Sequence, residues 1–444
     1  MVPIPGNVFP RMLDVPLPMA AKADGVWIED ISGERYLDAS GGAVVVNVGH
    51  GRQEIARAVE KQLRDCYYAH PTMWTNPVVE KLAQKLTAKA PPGMGRYYFV
   101  SSGSEAIETA IKMARQIQLA RGQAGRFHLV ARWKSYHGLT LGALSAMGRT
   151  VFRQPYAPML SDVSHIPPPY CLRCHYGLSY PACDLRCALA LEDELQNIGP
   201  ESVTAFLAET VSGGTLAAYP PPDRYFEIIR NICDKYDILL ILDEVMCGMG
   251  RTGRYFACEH YQVIPDIMTI GKGMSGGALP LGAVGVQNSH FDIIREKLGA
   301  FVHGGTFSHH PVTAAAGLEV LDILEKENLV HRVAKMGPQL GKLLIERLAD
   351  HPNVGHIRGI GFLWGIELVA DKTTLKPFAR TQKITEAVWQ AIFNRKVIVY
   401  KSIGLAGTDG DALLVAPPFI MTWEEMVLVV DTIRAGLDEV LPAA

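Results

Sequence analysis

The middle of the chain repeats one pattern of hydrophobic and polar positions. From Arg96 onwards, short continuous apolar runs, which are typical of buried strands, alternate with longer segments of helical spacing. The predicted strands cover residues 97–100, 127–131, 203–208, 238–242, 267–270 and 282–286. Because strands that alternate with helices favour right-handed βαβ units, the pattern predicts an α/β fold with a mainly parallel sheet.

Other patterns occupy the two ends of the chain. Residues 25–38 alternate like a β-hairpin that turns at Ser32-Gly33, and residues 40–51 suggest a glycine-rich loop around a valine strand. Helical spacing is found at residues 53–66, 78–88, 312–326, 385–394 and 424–441, and a further strand is expected at 361–369. We expect an N-terminal segment with part of a small domain at 1–65, a large domain at 66–325 and a C-terminal small domain at 326–444.

Composition narrows the class of protein. The chain has 444 residues, of which 48% are hydrophobic and 20% charged, and its formal net charge is −2. A net charge so near zero argues against nucleic acid or an anionic membrane as the main partner. No apolar run reaches the roughly 20 residues of a membrane span, and Met1 to Pro10 lacks the basic start and apolar core of a signal peptide. We expect a cytoplasmic protein.

Lys272 is the strongest candidate for covalent chemistry. The predicted strand at 267–270 leads it into a turn between Gly271 and Gly273, where the backbone can approach a ligand closely. Desolvation lowers the pKa of a lysine and makes its amine a nucleophile, which is the usual route to a Schiff base. An ordinary exposed lysine on a loop is the alternative, since lysine is mostly exposed.

Two carboxylates, Asp243 and Glu244, end the predicted strand at 238–242. Ligands of open α/β sheets lie beyond the carboxyl ends of the strands, and a buried aspartate there needs a cationic partner. A protonated pyridine nitrogen would be such a partner, and a lysine Schiff base with an aspartate on that nitrogen is typical of pyridoxal 5′-phosphate (PLP) sites. A metal-binding Asp-Glu pair is the weaker alternative, because no further ligand follows at suitable spacing.

A phosphate site is expected where the first strand of the large domain meets a helix. Free amides and the helix dipole bind phosphate at such a point, which assigns Ser102, Gly103 and Ser104 to a phosphate cradle. A simple helix cap at Ser104 is the alternative. Just past the strand at 127–131, Tyr136 is the candidate for stacking on a pyridine ring, with His137 as alternative or helper.

Five ordered motifs carry a family resemblance over almost the whole chain. They are SSGSEAIETAIKMAR, SYHG, AET followed by DILLILDEVMCGMGRTG, DIMTIGKGMSGGALPLGAV, and GTFSHHP. Together they resemble the class III, PLP-dependent aminotransferases, also called the ω-aminotransferase group. The resemblance implies PLP fold type I, with a mainly parallel seven-stranded sheet between helices, a smaller α+β domain, and a homodimer whose active sites lie at the subunit interface.

The resemblance also implies residue roles and a reaction. Lys272, freed by transaldimination from its own aldimine with PLP, would move the substrate proton, and two half-reactions would give ping-pong kinetics. The implied cofactor contacts are Asp243 on the pyridinium, Gly103 and Ser104 on the phosphate, Tyr136 and Val245 on the two ring faces, and Thr306 on the phosphate of the partner subunit's cofactor.

The expected substrates are an ω-amino acid, a diamine or another primary amine as donor, and a 2-oxo acid such as pyruvate or 2-oxoglutarate as acceptor. Arg358 matches the family arginine that clamps a carboxylate, and Glu209 the glutamate that pairs with it when no carboxylate is bound. Thr210 replaces the usual proline after that glutamate. Val44 stands where many amine transaminases carry tryptophan, which predicts a wider pocket, and Trp74 is a further candidate for the pocket wall.

Four of the eight cysteines cluster in a loop at 168–190, a feature that most of the family lacks. Cys171, Cys174, Cys183 and Cys187 supply four thiolates, enough for tetrahedral zinc or a [4Fe–4S] cluster. In a cytoplasmic protein the spacing favours a structural metal site near the substrate entrance over disulfides, with an iron–sulfur cluster slightly preferred to zinc. Free or redox-active thiols are the alternative.

Two further hypotheses about function remain open. The same fold and cofactor would also serve an aminomutase, a decarboxylase or a racemase, which consumption of a 2-oxo acid would distinguish from an aminotransferase. A metal-cluster redox sensor that has kept a PLP fold is the other, and the intact pair of Lys272 and Asp243 argues against it.

Overall fold

The computed structural model describes residues 7–13 and 15–442. An N-terminal sheet comes first, and its second and third strands form the hairpin predicted at 25–38. The first elements are β1 (Ala20–Asp24), β2 (Trp27–Asp30), β3 (Arg35–Asp38), the short irregular helix α1 (Gly41–Val44), α2 (Gln53–Cys66) and α3 (Pro77–Lys89). Residues 1–6, part of the segment expected at 1–65, lie outside the described residues.

A seven-stranded sheet forms the centre of the molecule. Its strands are β4 (Met94–Val100), β5 (His128–Arg132), β6 (Ser164–Ile166), β7 (Val203–Glu209), β8 (Leu239–Asp243), β9 (Ile267–Ile270) and β10 (Gly282–Gln287). The spatial order is β4-β10-β9-β8-β7-β5-β6, and only β10 runs antiparallel to its neighbours. The mainly parallel sheet predicted from the apolar runs is therefore confirmed.

Burial explains why these runs become strands. All five side chains of β8 and all seven of β7 are buried, as expected for a parallel sheet that helices cover on both faces. The helices between these strands are α4 (Gly103–Ala120), α5 (Leu141–Ala146), α6 (Thr150–Arg153), α7 (Arg186–Ile198), α8 (Tyr225–Lys235) and α9 (Asn288–Lys297). On α4 one apolar face, including Ala106, Ile107 and Ala110, packs on the sheet.

The C-terminal part combines helices with an antiparallel sheet. The strands are β11 (Val354–Ile360), β12 (Leu363–Leu368), β13 (Val397–Ile398), β14 (Tyr400–Ala406) and β15 (Asp409–Val415), and the helices are α10 (Pro311–Lys326), α11 (Leu329–Leu348), α12 (Ile384–Asn394) and α13 (Trp423–Val440). The sheet order is β11-β12-β15-β14, while β13 joins β3 of the N-terminal sheet in parallel. Strands from the N-terminal and C-terminal parts of the chain thus share one small sheet.

Two local predictions were wrong. Residues 40–51 form no valine strand, because Gly41, Gly42 and Val44 all have left-handed φ angles that an extended strand does not allow. The edge strand β6 was missed, since three residues that include His165 give no periodic signal.

Within the described residues, no helix combines the length and apolar character needed to cross a membrane.

Candidate active site

Lys272 lies directly after β9, at the carboxyl edge of the central sheet. It opens a single 3-10 turn, Lys272–Met274, with a left-handed φ of 45° that few residues other than glycine adopt. Burial lowers the pKa of Lys272 to about 8, against the opposing charges of Asp243 and Glu209. The fraction of neutral, nucleophilic amine near neutral pH is therefore much larger than for an ordinary lysine.

Asp243 ends β8, the strand beside β9, and is held in place by three donors. The Nδ1 atom of His137 lies 2.8 Å from its Oδ2, while the Thr269 hydroxyl and the Val245 amide donate to its Oδ1 at 3.2 and 3.0 Å. The carboxyl group is 5% exposed. His137 is equally buried and its Nε2 has no protein partner among the described residues. His137 thus positions Asp243.

Thr269 was missed by sequence reasoning, although a signal existed. It is the single polar residue in the apolar run of β9, and it is fully buried. A buried hydroxyl needs a partner, and here the partner is the carboxylate of Asp243.

The start of α4 has the features of an anion site. Ser102 caps the helix, accepting a hydrogen bond from the Glu105 amide at 3.2 Å, so the capping residue is not Ser104. The amides of Gly103 and Ser104 stand in the first turn, where a helix has no acceptors for them. The Ser104 hydroxyl accepts from the Leu139 amide at 3.2 Å, which ties this turn to the loop of Tyr136 and His137.

Glycines let the backbone close around this point. A Cβ on Gly103 would lie 2.9 Å from Val245, and one on Gly138 would lie 2.9 Å from the Ser104 Cα. Both positions therefore exclude a side chain. Val245, half-buried, is close to Gly103 and Gly271, which places it between the helix start and the turn of Lys272.

Glu209 and Glu244 belong to the frame of the site. Glu209 accepts hydrogen bonds from the Tyr136 amide at 3.1 Å and the Gly213 amide at 2.9 Å, and burial raises its pKa. Glu244 accepts from the Thr210 hydroxyl at 2.7 Å and from two backbone amides. With its oxygens occupied in this way, Glu244 does not form a metal-binding pair with Asp243.

Three further predicted residues have surroundings of their own. Val44 is 2% exposed in an apolar cluster against the C-terminal sheet, so its side chain is used in packing. Trp74 is 68% exposed and lines a separate cavity with Tyr97 and His309. Thr306 is exposed on the surface of the single chain.

The structure does not bring Arg358 to the site as a carboxylate clamp. Its guanidinium is buried, donates to Glu367 at 2.8 Å and to the carbonyls of Leu216 and Ala217, and lies over the ring of Tyr219 at 5.2 Å. These contacts occupy its donors in this structure, and the carboxylate-clamping role of Arg358 stays a prediction. The sequence did not show the pairing because Glu367 lies on the neighbouring strand of a hairpin.

The four-cysteine loop contacts this same ion pair. Tyr170 and Arg173, which flank Cys171, both bond to the carboxylate of Glu367, Arg173 at 3.0 Å. One small cavity is lined by four free cysteines of the loop, namely Cys171, Cys174, Cys183 and Cys187. Across residues 7–13 and 15–442, however, no three His, Cys, Asp or Glu side chains stand where they could hold one metal ion. The expected [4Fe–4S] cluster or zinc ion is not supported.

The site fits the cofactor that the motifs imply. A desolvated lysine, a buried aspartate beside it, and a helix start with a glycine at Gly103 could receive the aldehyde, the ring nitrogen and the phosphate of PLP. The partnerless Nε2 of His137 also points to a polar group beyond the protein atoms.

Comparison with known proteins agrees with this picture. The family model Aminotransferase class-III matches residues 9–437. Putrescine–pyruvate aminotransferase of Pseudomonas aeruginosa is 35% identical, over 95% of this chain and 91% of that protein, and taurine–pyruvate aminotransferase of Bilophila wadsworthia is 37% identical, over 94% and 91%. An (S)-enantioselective omega-transaminase structure from Thermomicrobium roseum superposes with a TM-score of 0.92 at 34% identity, covering 98% of this chain and 97% of that one.

Proposed function

This chain belongs to the class III aminotransferases of PLP fold type I, and from that premise we propose that it moves the amino group of a primary amine to pyruvate. Two similar proteins named above use pyruvate as acceptor, with putrescine and taurine as their donors. A diamine, an ω-amino acid or another primary amine is the proposed donor class. 2-Oxoglutarate is the second acceptor to test.

The observation that carries the proposal is the position of Lys272. It stands in a turn at the carboxyl edge of the sheet with its pKa lowered by burial to about 8 and Asp243 on the adjoining strand. PLP, when bound, supplies an electron sink that makes the proton on the amine-bearing carbon removable. Lys272 would anchor the cofactor covalently and then, as a free amine, take that proton and return it.

Neighbouring residues would hold the cofactor for this work. Asp243, fixed by His137 and Thr269, would keep the ring nitrogen protonated, because a buried carboxylate favours a cationic partner. Tyr136 and Val245 would flank the ring. The amides of Gly103 and Ser104, with Ser102 capping the helix, would bind the phosphate.

We further propose that the active form is a homodimer. The segments 67–74 and 302–310 meet where Tyr68 contacts Phe307, and both carry exposed apolar side chains. Met73 is 77% and Phe307 59% exposed, an arrangement more typical of an interface than of a free surface. Thr306 lies within this region, where a partner's phosphate site could receive it.

The test is amine-dependent consumption of pyruvate by the PLP-loaded protein. We expect alanine to form in a one-to-one ratio with the deaminated donor when diamines, ω-amino acids and simple primary amines are screened. The Lys272→Ala variant should lose nearly all turnover while keeping its fold. Amine conversion without loss of a 2-oxo acid would instead indicate a mutase, a decarboxylase or a racemase.

A further inference from the structure

A group of cationic side chains lies beside Tyr136 with no role in the site described so far. The ring of Phe152 meets Tyr136 edge to face, with centroids 6.2 Å apart. Two guanidinium groups lie against the same Phe152 ring, Arg149 at 4.9 Å and Arg11 at 5.4 Å from its centroid. Two like charges are therefore held close to one aromatic ring next to the expected cofactor position.

No carboxylate in the described part of the chain pairs with these cations. Arg149 donates one hydrogen bond, to the Ile403 carbonyl at 3.1 Å, which leaves most of its five donors uncommitted. The nearby Lys134 is committed to the carbonyls of Gly404 and Gly407 at 2.7 and 2.8 Å. Burial lowers the pKa of both Arg149 and Lys134, so neither charge is well solvated.

An unpaired, partly desolvated guanidinium costs free energy unless an anion joins it. Proteins keep such a group where an anionic ligand supplies the missing charge, and the planar fork of arginine matches a carboxylate. By contrast, Arg358 already has Glu367 as its charge partner in this structure.

Tyr136 links this cationic group to the catalytic residues. Its amide donates to Glu209 on β7, the strand next to β8, which ends in Asp243. Burial raises the pKa of its phenol, and the charges that act on the phenol further come from Tyr400, Arg11, Arg149 and Asp243. The ring of Tyr136 thus lies near both the Asp243 carboxylate and the Arg149 guanidinium.

We propose that Arg149 is the residue that binds the carboxylate of the 2-oxo acid acceptor, with Tyr400 and Arg11 beside it. This inference rests on the proposed aminotransferase function and names its carboxylate-recognising residue. An acidic group at the far end of a donor, such as the carboxylate of an ω-amino acid, has the same chemistry and would use the same arginine in the other half-reaction.

The experiment compares charged and uncharged substrates in the Arg149→Gln and Arg149→Lys variants of the PLP-loaded protein. For Arg149→Gln the KM for pyruvate should rise about 10- to 100-fold, the usual effect of losing a hydrogen-bonded charge partner. Turnover with propanal, an acceptor without a carboxylate, should stay unchanged. The KM of Arg149→Lys for pyruvate should lie between those of the wild type and Arg149→Gln, because lysine keeps the positive charge but lacks the planar fork of hydrogen-bond donors.

Two additional measurements extend this comparison. One asks whether a carboxylate on the donor also uses Arg149, and the other tests carboxylate binding without turnover. β-Alanine against propylamine as donor shows whether a donor carboxylate uses Arg149. Calorimetric binding of propanoate, which does not react, measures the contact without turnover and should weaken in Arg149→Gln. Arg224→Gln, which removes an exposed arginine far from this region of the sequence, is the matched control.

Two results would overturn the inference that Arg149 binds the carboxylate. An unchanged KM for pyruvate in Arg149→Gln would do so, as would a parallel loss with pyruvate and propanal, which indicates a structural role. If the wild-type protein consumes no 2-oxo acid at all, the proposed function fails. Propanoate binding that is lost in Arg149→Gln would then still establish the carboxylate site.

Discussion

A lysine amine becomes useful for catalysis when its surroundings make it neutral, and Lys272 meets this condition through its position. Its strand ends at the sheet edge, so the side chain leaves water while Asp243 and Glu209 stay nearby. Burial outweighs these two charges, because the pKa falls from 10.5 to about 8.

The rate of covalent PLP uptake should therefore follow the titration of Lys272. The neutral amine is the reactive form, and its fraction increases as pH rises through the pKa. For cofactor-free protein, we expect the uptake rate to rise from about pH 6.5 and level off near pH 9. Non-covalent binding of pyridoxamine 5′-phosphate is the control for other titrations. A rate still climbing towards pH 10.5 would show an unshifted lysine.

At the same scale, the sequence revealed some residues and concealed others for physical reasons. Lys272 and Asp243 could be recognised because each follows a continuous apolar run, which fixes its place at the sheet edge. The ion pair of Arg358 was concealed because its partner Glu367 becomes a neighbour only through strand pairing. Arg149 belongs to no motif, and only packing brings its helical neighbour Phe152 beside Tyr136.

Among the elements, β11 and β12 are joined to the four-cysteine loop by one buried carboxylate. The carboxylate of Glu367 forms ion pairs with Arg358 on β11 and with Arg173 in the loop. It also accepts a hydrogen bond from the Tyr170 hydroxyl of the loop. The two arginines compensate the buried negative charge of Glu367, and Glu367 compensates their positive charges. The network explains how an irregular loop is attached to the C-terminal sheet.

Glu367→Gln should thus destabilise the protein strongly. Removing one partner of a buried ion pair typically costs about 3–5 kcal/mol, since it leaves the two arginines uncompensated. We expect a clearly lower urea midpoint, whereas Glu227→Gln, in the exposed pair with Arg224, should change stability by less than about 0.5 kcal/mol. Equal midpoints for the two variants would refute the structural role of this network.

Elements also differ in how well their patterns predict them. Long periodic segments such as α2 and α10 were predicted to within one residue, and the buried strands to within a few residues. The valine run at 44–46 has the composition of a strand, but the left-handed backbone at Gly41 and Gly42 turns the chain instead. Local backbone angles of this kind are not encoded in hydrophobicity.

For the whole molecule, assembly decides whether the site is complete. If Thr306 reaches the phosphate of the partner's cofactor, then one active site uses Lys272 of one chain and Thr306 of the other. The exposed apolar side chains around Phe307 support such pairing.

Mixed dimers should reveal this sharing. Lys272→Ala is expected to be inactive, and Thr306→Asp severely weakened because its carboxylate repels a phosphate. When the two variants are refolded together, half of the mixed dimers' sites combine an intact Lys272 with an intact Thr306, so activity should return. Activity no greater than that of Thr306→Asp alone would place Thr306 in its own chain's site or outside the mechanism.

The most direct measurement of the central claim is peptide mapping after borohydride reduction of the PLP-loaded protein. The account predicts one phosphopyridoxyl group per chain, on the peptide that contains Lys272. A label on Lys134, the other lysine whose pKa burial lowers beside Tyr136, or no label at all, would contradict it.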